Sequence, residues 1–403
     1  MSQVMKPFKG HVYNQEKAGD LSNLVCPPYD IISPALLRDL RKRSPYNFIK
    51  VTLDKKQDYD SVSERFNKWI ADDILVKDEQ DCIYLYEQQF TLESKKHSRF
   101  GFIALLELDR EGLVIPHEKT LSAPKKDRFN LLKKIKANLS PIFVISDKNL
   151  VSFADIISRF RRKKADMDFY DDKKIRNRVW KISDPELVKA LAKEMSRRKL
   201  FIADGHHRFS VASQYFKKYG NKYKDLNYMP AYFTDPDSGL LIMPTHRVAT
   251  VEEKEKDILD KLSAYFEIKE VEEDYLRRKI RGRGKIFAFG LAVKKKLYFL
   301  SLKNSAILDT IFVKEDEKIY KKLDVSILHK LVFSLLQVSD IEYTHKIAEV
   351  KTKVKGARVG FLVRATPLDT VFDLARNKSL LPQKSTYFYP KLLSGLVVRR
   401  FEA

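Results

Sequence analysis

Leu200-Phe201-Ile202-Ala203 is a continuous apolar run, and Ser210-Val211-Ala212-Ser213-Gln214-Tyr215-Phe216 carries apolar residues at helical spacing. Between them stands Asp204-Gly205-His206-His207-Arg208. The order predicts a short buried strand, a tight turn at Asp204-Gly205 and then a helix, so this chain must pack helices on sheet. Gly205 lets the backbone come close to a ligand. The helix start offers unpaired amides and the positive end of a dipole, and Arg208 adds a planar fork suited to two phosphate oxygens. His206 and His207 can add donors, or one can take a proton. So many ionisable groups without a gap are scarce in purely structural turns, and the cluster reads as an anion grip.

At 403 residues the chain exceeds one ordinary core, and about two to three domains are expected. No long Gly/Ser or Pro linker marks a boundary, and the chain is read by its motifs as an N-terminal α+β domain over 1–150 with His117-Glu118, a segment over 151–250 with Asp204 to Arg208, and a C-terminal α+β region over 251–403 with Lys384 to Lys391. The formal charge of +23 calls for anionic partners: either nucleic acid, drawn through its phosphates, or small anionic substrates on a lysine-rich surface. Compact basic runs occur at Arg159 to Lys164 and Arg277 to Lys285. Such runs are usually solvated faces, and a high load of both charge signs also fits a protein from a hot environment. Cys26 and Cys82 lie in no paired ligand motif, so neither a disulfide framework nor a zinc cage is expected. No apolar run reaches the roughly 18 residues of a membrane span, and the N-terminus has no signal-peptide core. A cytoplasmic protein with no membrane partner is the expectation.

Ser33-Pro34 caps a helical fragment over 36–40, and Val62, Phe66, Trp69 and Ile70 give a second amphipathic helix over 60–71. Residues 82–90 and 99–106 read as a hairpin across a polar connection over 93–97. A helix over 128–137 and a strand over 141–145 follow. Strands are expected at 231–234, 240–243, 285–289 and 297–302, with a helix over 254–265. Residues 383–391, polar and aromatic, lie near the C-terminus, where chains commonly fray.

Other clusters carry chemistry. Pro116-His117-Glu118-Lys119-Thr120 with Asp127-Arg128 supplies a base, an acid and an anion clamp, or else a charged loop capping the helix near Arg128. Its His-Glu pair lacks the second histidine of a zinc protease. Met243-Pro244-Thr245-His246-Arg247 again sets His beside Arg after a strand, and Pro27-Pro28-Tyr29-Asp30 fixes an extended backbone. Four of the eight histidines fall in these clusters. The Walker A sequence, the kinase signature set, the Gly-x-Ser-x-Gly elbow and the Rossmann glycine fingerprint are all missing.

Pro27-Pro28-Tyr29-Asp30, His117-Glu118 with Thr120 and Asp127-Arg128, Asp204 to Arg208, Pro244-Thr245-His246-Arg247, and Lys384-Ser385-Thr386-Tyr387-Phe388-Tyr389-Pro390-Lys391 stand in the order of the family called domain of unknown function 1015, which this chain resembles along nearly its whole length. The Asp-Gly-His-His-Arg core is also similar to the phosphate-binding motif of the ParB and sulfiredoxin superfamily, which includes free-serine kinases. The resemblance implies an α+β fold of mixed sheets with packed helices, a ParB/sulfiredoxin-like core around Asp204 to Arg208, and an additional α+β domain. It implies phosphoryl transfer from ATP, ADP or pyrophosphate to a small hydroxyl acceptor, foremost free L-serine, with Mg²⁺.

On that resemblance Gly205, His206, His207, Arg208, Arg247, Lys384 and Lys391 would hold phosphate, and Asp204 the metal. Tyr29, Asp30, His117, Thr120, Arg128, His246, Ser385 and Thr386 would meet the substrate. Glu118, Asp204 and His206 would be catalytic, with Glu118, Asp30 and Asp204 competing for the base. All these segments are expected to converge in one cleft around Gly205. Two other readings stand beside the kinase: a nucleotide-regulated, ParB-like nucleic-acid-binding protein, and a phosphohydrolase using the same pocket.

Overall fold

A computed structural model describes residues 4–53, 57–108, 112–118, 122–220, 222–281, 287–377, 379 and 384–402. The chain forms two compact units: unit 1 comprises Met1–Pro116, Thr120–Leu240 and Pro390–Ala403, and unit 2 comprises His117–Lys119 and Leu241–Tyr389. Both mix helices with sheet, so the class is α+β. Thr120 and residues 282–285 of the second basic run lie outside the described residues.

Unit 1 is built on a nine-stranded mixed sheet. Its strands are β1 (Met5–Lys6), β2 (Ile83–Leu92), β3 (Lys95–Glu107), β4 (Val114–Ile115), β5 (Ile142–Ser146), β6 (Met167–Tyr170), β7 (Arg176–Ile182), β8 (Leu200–Asp204) and β9 (Tyr228–Thr234). They lie in the order β4-β8-β5-β9-β3-β2-β7-β6, with β1 on β3. The β2–β3 hairpin turns on two residues, Glu93 and Ser94, at φ 50° and 63°. That is the tight turn whose twist matches paired strands. The connection is therefore shorter than the expected 93–97, because Lys95 and Lys96 can extend a solvent-exposed ladder opposite Leu92 and Thr91.

Alternation sorts the hairpin residues between faces. Ile83, Leu85, Phe102, Ala104 and Leu106 join a core with Phe153 and Ile156 of α4 (Val151–Phe160) and with Val188, Leu191 and Met195 of α5 (Pro185–Met195). In the opposite phase stand Tyr84, Tyr86, Gln88 and Arg99. The N-terminal helices include α1 (Pro34–Arg43), capped by the Ser33 hydroxyl, α2 (Tyr59–Ala71) and α3 (Ser122–Ile135). Helix α3 starts earlier than expected and packs on α6 (His206–Tyr219), with the Phe129 and Tyr215 rings 5.7 Å apart. The stretch expected to fray is ordered over its described residues 384–391, where Tyr387–Tyr389 pairs with Leu241–Met243 and the Lys391 ammonium pairs with Asp204, and residues 392–402 follow in the same way. Leu396, Val397 and Val398 are buried, His11 and Val398 exchange backbone hydrogen bonds of 2.8 and 2.9 Å, and the Arg399 guanidinium donates to the Asp225 carbonyl at 2.6 Å. Their apolar content outweighs the end-of-chain tendency.

Unit 2 has its own six-stranded antiparallel sheet. After β10 (Leu241–Met243) come β11 (His246–Thr250), β12 (Phe266–Glu270), β13 (Ala288–Val293), β14 (Lys296–Leu302), β15 (Ser339–Thr344) and β16 (Arg358–Leu362); β17 (Tyr387–Tyr389) follows. The sheet order is β12-β14-β13-β16-β11-β15, and β10 pairs with β17 separately. One face carries Ala249, Phe361, Leu328 and Phe333, together with Ile258 and Leu262 of α7 (Glu255–Ser263). The other packs Val248 against α8 (Glu273–Arg281) and α9 (Ile347–Lys353) through Leu276 and Val350. No helix among the described residues is long and apolar enough to cross a membrane. Cys26 and Cys82 are buried free thiols.

Candidate functional site

Strand β8 ends in a bulge: Ile202 pairs with Val144 but Asp204 with Phe143, so one extra residue re-aims the end of the strand. Gly205 follows at φ 92°, and a Cβ there would lie 2.8 Å from Ile142 Cγ2 and 3.0 Å from Arg208 Nη2. The position therefore demands glycine twice, by conformation and by space. Helix α6 starts at His206, and no side chain caps it. The positive end of the helix dipole lies at this turn, a setting that favours negative charge.

The Asp204 side chain is fixed by two cations, one on each carboxylate oxygen. Arg208 Nη2 donates to Oδ2 at 2.6 Å, the Lys391 ammonium pairs with Oδ1, and Arg208 Nη1 also bonds the Pro141 carbonyl. Burial would raise the Asp204 carboxyl, but Lys391 and Arg208 hold it well below the usual carboxylate range, with His206 adding in the same sense. The triad carries one net positive charge at a helix start. Arg208 is thus a strut as well as a cation, and Lys391, far away in sequence, completes the group. A metal ion at Asp204 would have to share or replace the Lys391 ammonium. Among the described residues no three His, Cys, Asp or Glu side chains are grouped to hold a metal.

A pocket of about 70 Å³ opens in the same unit, with Arg208, Arg128, Tyr29, Thr52 and Ser140 among its walls and Leu131, Leu139 and Val211 among its apolar lining. The Arg128 guanidinium lies 4.3 Å from the Tyr29 ring centroid, donates to the Thr52 carbonyl at 2.7 Å, and is paired with Asp127. Asp127 accepts in turn from the Tyr59 hydroxyl at 2.6 Å. Asp30, in the short turn Tyr29–Ile31, is exposed. His206 is buried and His207 half-buried on the first turn of α6. Unit 1 thus brings together Tyr29, Arg128, Asp204, Arg208 and Lys391.

Unit 2 gathers the other motifs. His117 is buried, with Nε2 3.2 Å from Thr386 Oγ1 and its ring against Phe388. Glu118 Oε1 accepts from the Lys384 amide at 2.7 Å, and the Lys384 carbonyl accepts from Arg247 Nη2 at 3.4 Å. Lys384 therefore acts here through its backbone. The Ser385 carbonyl accepts from Thr366 Oγ1 at 3.2 Å. His246 is buried, and its Nδ1 accepts from the Val363 amide at 3.3 Å. Burial, and then the Arg247 charge, push its imidazole down to about 3, so it is neutral.

Sequence reasoning missed Arg99, which is fully buried in unit 1. It bonds Gln88 and lies 4.7 Å from the Phe143 ring centroid. The hairpin pairing sets Arg99 opposite Gln88, where the polar start of β3, Lys95 to Ser98, gives way to a buried run.

Fold and site together define a two-unit α+β protein with a charge-compensated carboxylate turn at an uncapped helix start. The chain belongs to the family described as "Protein of unknown function (DUF1015)", whose model matches residues 5–326. No curated protein matches it. Among solved structures it is similar to a free serine kinase variant in complex with ADP, at 14% identity over 71% of this chain and 87% of that one, TM-score 0.37. It is also similar to a conserved hypothetical protein from Pyrococcus furiosus, at 15% identity over 74% and 95%, TM-score 0.35. A third is SbnI with C-terminal truncation from Staphylococcus aureus, at 9% identity over 73% and 86%, TM-score 0.38. These likenesses are remote and assign no activity.

Proposed function

We propose that this chain is a phosphotransferase that passes a phosphoryl group from ATP, ADP or pyrophosphate to the hydroxyl of a small molecule, with free L-serine the leading acceptor. The observation that carries the reading is the Asp204 turn: an uncapped helix start behind a left-handed glycine, with Arg208 and Lys391 sharing one carboxylate. Phosphoryl transfer asks a protein mainly for positioning and charge neutralisation. The α6 amides, the net positive triad and the histidines at its start would bind and orient donor phosphates. Tyr29 and Arg128, beside Arg208 on the neighbouring pocket, are assigned to the substrate. Glu118 is assigned to the acceptor hydroxyl as base, one oxygen steadied by the Lys384 amide and the carboxylate oriented thereby. Magnesium, when bound, would neutralise donor phosphate charge.

Phosphorus NMR on the full chain with each donor, L-serine and Mg²⁺ tests the reading. O-phosphoserine should form, and Glu118→Gln should slow it by about 10²-fold or more without changing the far-ultraviolet circular dichroism. Absence of phosphoserine with all three donors would sink the kinase. Serine-independent release of inorganic phosphate would point to a phosphohydrolase instead.

A further inference from the structure

Arg247 is a buried charge that no acid among the described residues balances. It is 1% exposed on β11, on the same face as Ala249 and so on the Phe361 and Phe333 side of the sheet. Its Nη1 bonds the Thr245 carbonyl and its Nη2 the Lys384 carbonyl, both neutral groups, and the Tyr343 ring stands 5.5 Å from the guanidinium. The Nε is sealed from solvent without a partner. No Asp or Glu among the described residues pairs with it. Burial pushes its pKa down to about 10, so it is still a cation at neutral pH. Removing an ion from water costs several kcal/mol unless a counter-charge offsets it.

Two further polar atoms nearby lack partners. Thr245 is 2% exposed and its Oγ1 is unbonded, although its carbonyl already holds Arg247. His329 Nε2 is likewise buried and unbonded, with its ring 4.5 Å from that of Phe333. That Phe333 ring lies 5.0 Å from the ring of Phe361, the cross-strand partner of Arg247, and burial and then the Arg247 charge lower the His329 imidazole to about 4. His329 lies in a π-helical turn, Leu328–Phe333, a rare geometry that recurs at functional sites. The turn is beyond the stretch that the family model matches. A guanidinium, a hydroxyl and an imidazole, each with an unbonded polar atom, can together replace the hydrogen bonds that water gives a small anion.

We propose that unit 2 binds a small oxyanion, a carboxylate or phosphate group, on Arg247 Nε, Thr245 Oγ1 and His329 Nε2. The group balances the buried guanidinium, and all its contacts come from unit 2. Arg247 is thereby a binding residue in its own right, and its role does not depend on the chemistry assigned to the Asp204 turn.

The test is calorimetry and thermal unfolding of the full chain with sodium phosphate and, separately, sodium acetate, at ionic strength fixed by chloride. Wild type should bind at least one of the two anions saturably at this site and melt higher in its presence, and the anion that does so identifies the group. Arg247→Met should lose one binding event per chain that Lys391→Met retains, and in chloride alone should melt no lower than wild type, since the unbalanced charge is gone. Thr245→Val and His329→Phe should each weaken that event by roughly tenfold. The proposal is overturned if wild type binds neither anion, or if His329→Phe and Thr245→Val both leave affinity unchanged; that pair decides should Arg247→Met fail to fold. Phosphoserine formation is a separate readout, so loss of the kinase reading would leave this result intact.

Discussion

Replacing Asp204 by Asn keeps the shape of the turn and removes its only negative charge. Arg208 and Lys391 would then face each other across a neutral amide. The side chains of Asp204, Arg208 and Lys391 are only 13, 16 and 12% exposed, so water screens little of the loss. Two charge-assisted hydrogen bonds at about 1.5–3 kcal/mol each, which do not add fully, give an expected destabilisation of about 3–5 kcal/mol at pH 7. The sign with pH follows from linkage. Asp204 titrates near the ordinary value of about 3.9 when unfolded and well below it when folded. Its contribution is present above about pH 4 and is lost as pH falls further toward the folded value. Urea unfolding of wild type and Asp204→Asn between pH 8 and 3 should show a constant gap down to about pH 5 and a narrowing one below pH 4. A gap under about 1 kcal/mol, the range of exposed surface pairs, or one that persists unchanged in acid, would refute the triad as the element that holds the turn.

Gly205→Ala should lower stability by about 2 kcal/mol or more, from left-handed strain plus the contact with Ile142, measured by the same urea series. An equally stable alanine variant would show that the turn relaxes freely. His246, neutral in the fold with its pKa lowered to about 3, should cost stability as pH drops from about 6.5 toward 3, by about 2 kcal/mol at pH 5. His246→Gln, which keeps an acceptor for the Val363 amide, should flatten that slope; an unchanged slope would place the titration elsewhere.

The strand-turn-helix at Asp204 was legible because strand run, glycine and helical spacing are local signals, and the Ser33 cap was legible for the same reason. The Lys391 ammonium was legible only as a lysine in a motif. What makes it the partner of Asp204 is a closure across the whole of unit 2's sequence, and periodicity carries no trace of such contacts. The return of residues 390–402 to unit 1 left a weak mark, since apolar residues at Leu392, Leu393 and Leu396 to Val398 argue against a frayed end. His329 was not legible: it lies in none of the motif clusters, and nothing in the periodicity of its neighbours signals the π-helical turn Leu328–Phe333 that carries it. The Arg208 strut was half legible, as a fork suited to oxygens, but nothing local says that two of those oxygens belong to Asp204 and Pro141.

Unit 1 takes back Pro390–Ala403 after the stretch Leu241–Tyr389 of unit 2, and this gives synthesis a fixed order. When the Asp204 turn leaves the ribosome, its lysine and the strand-like segment with Arg399 have yet to be made, and all of unit 2 must be translated first. Until then Asp204 lacks the Lys391 ammonium and has Arg208 and His206 beside it, and the face that later buries Leu396 to Val398 is open. Residues 390–402 act as a latch: closing them joins contacts at very large sequence separation and adds the second cation that gives the Asp204 turn its net positive charge.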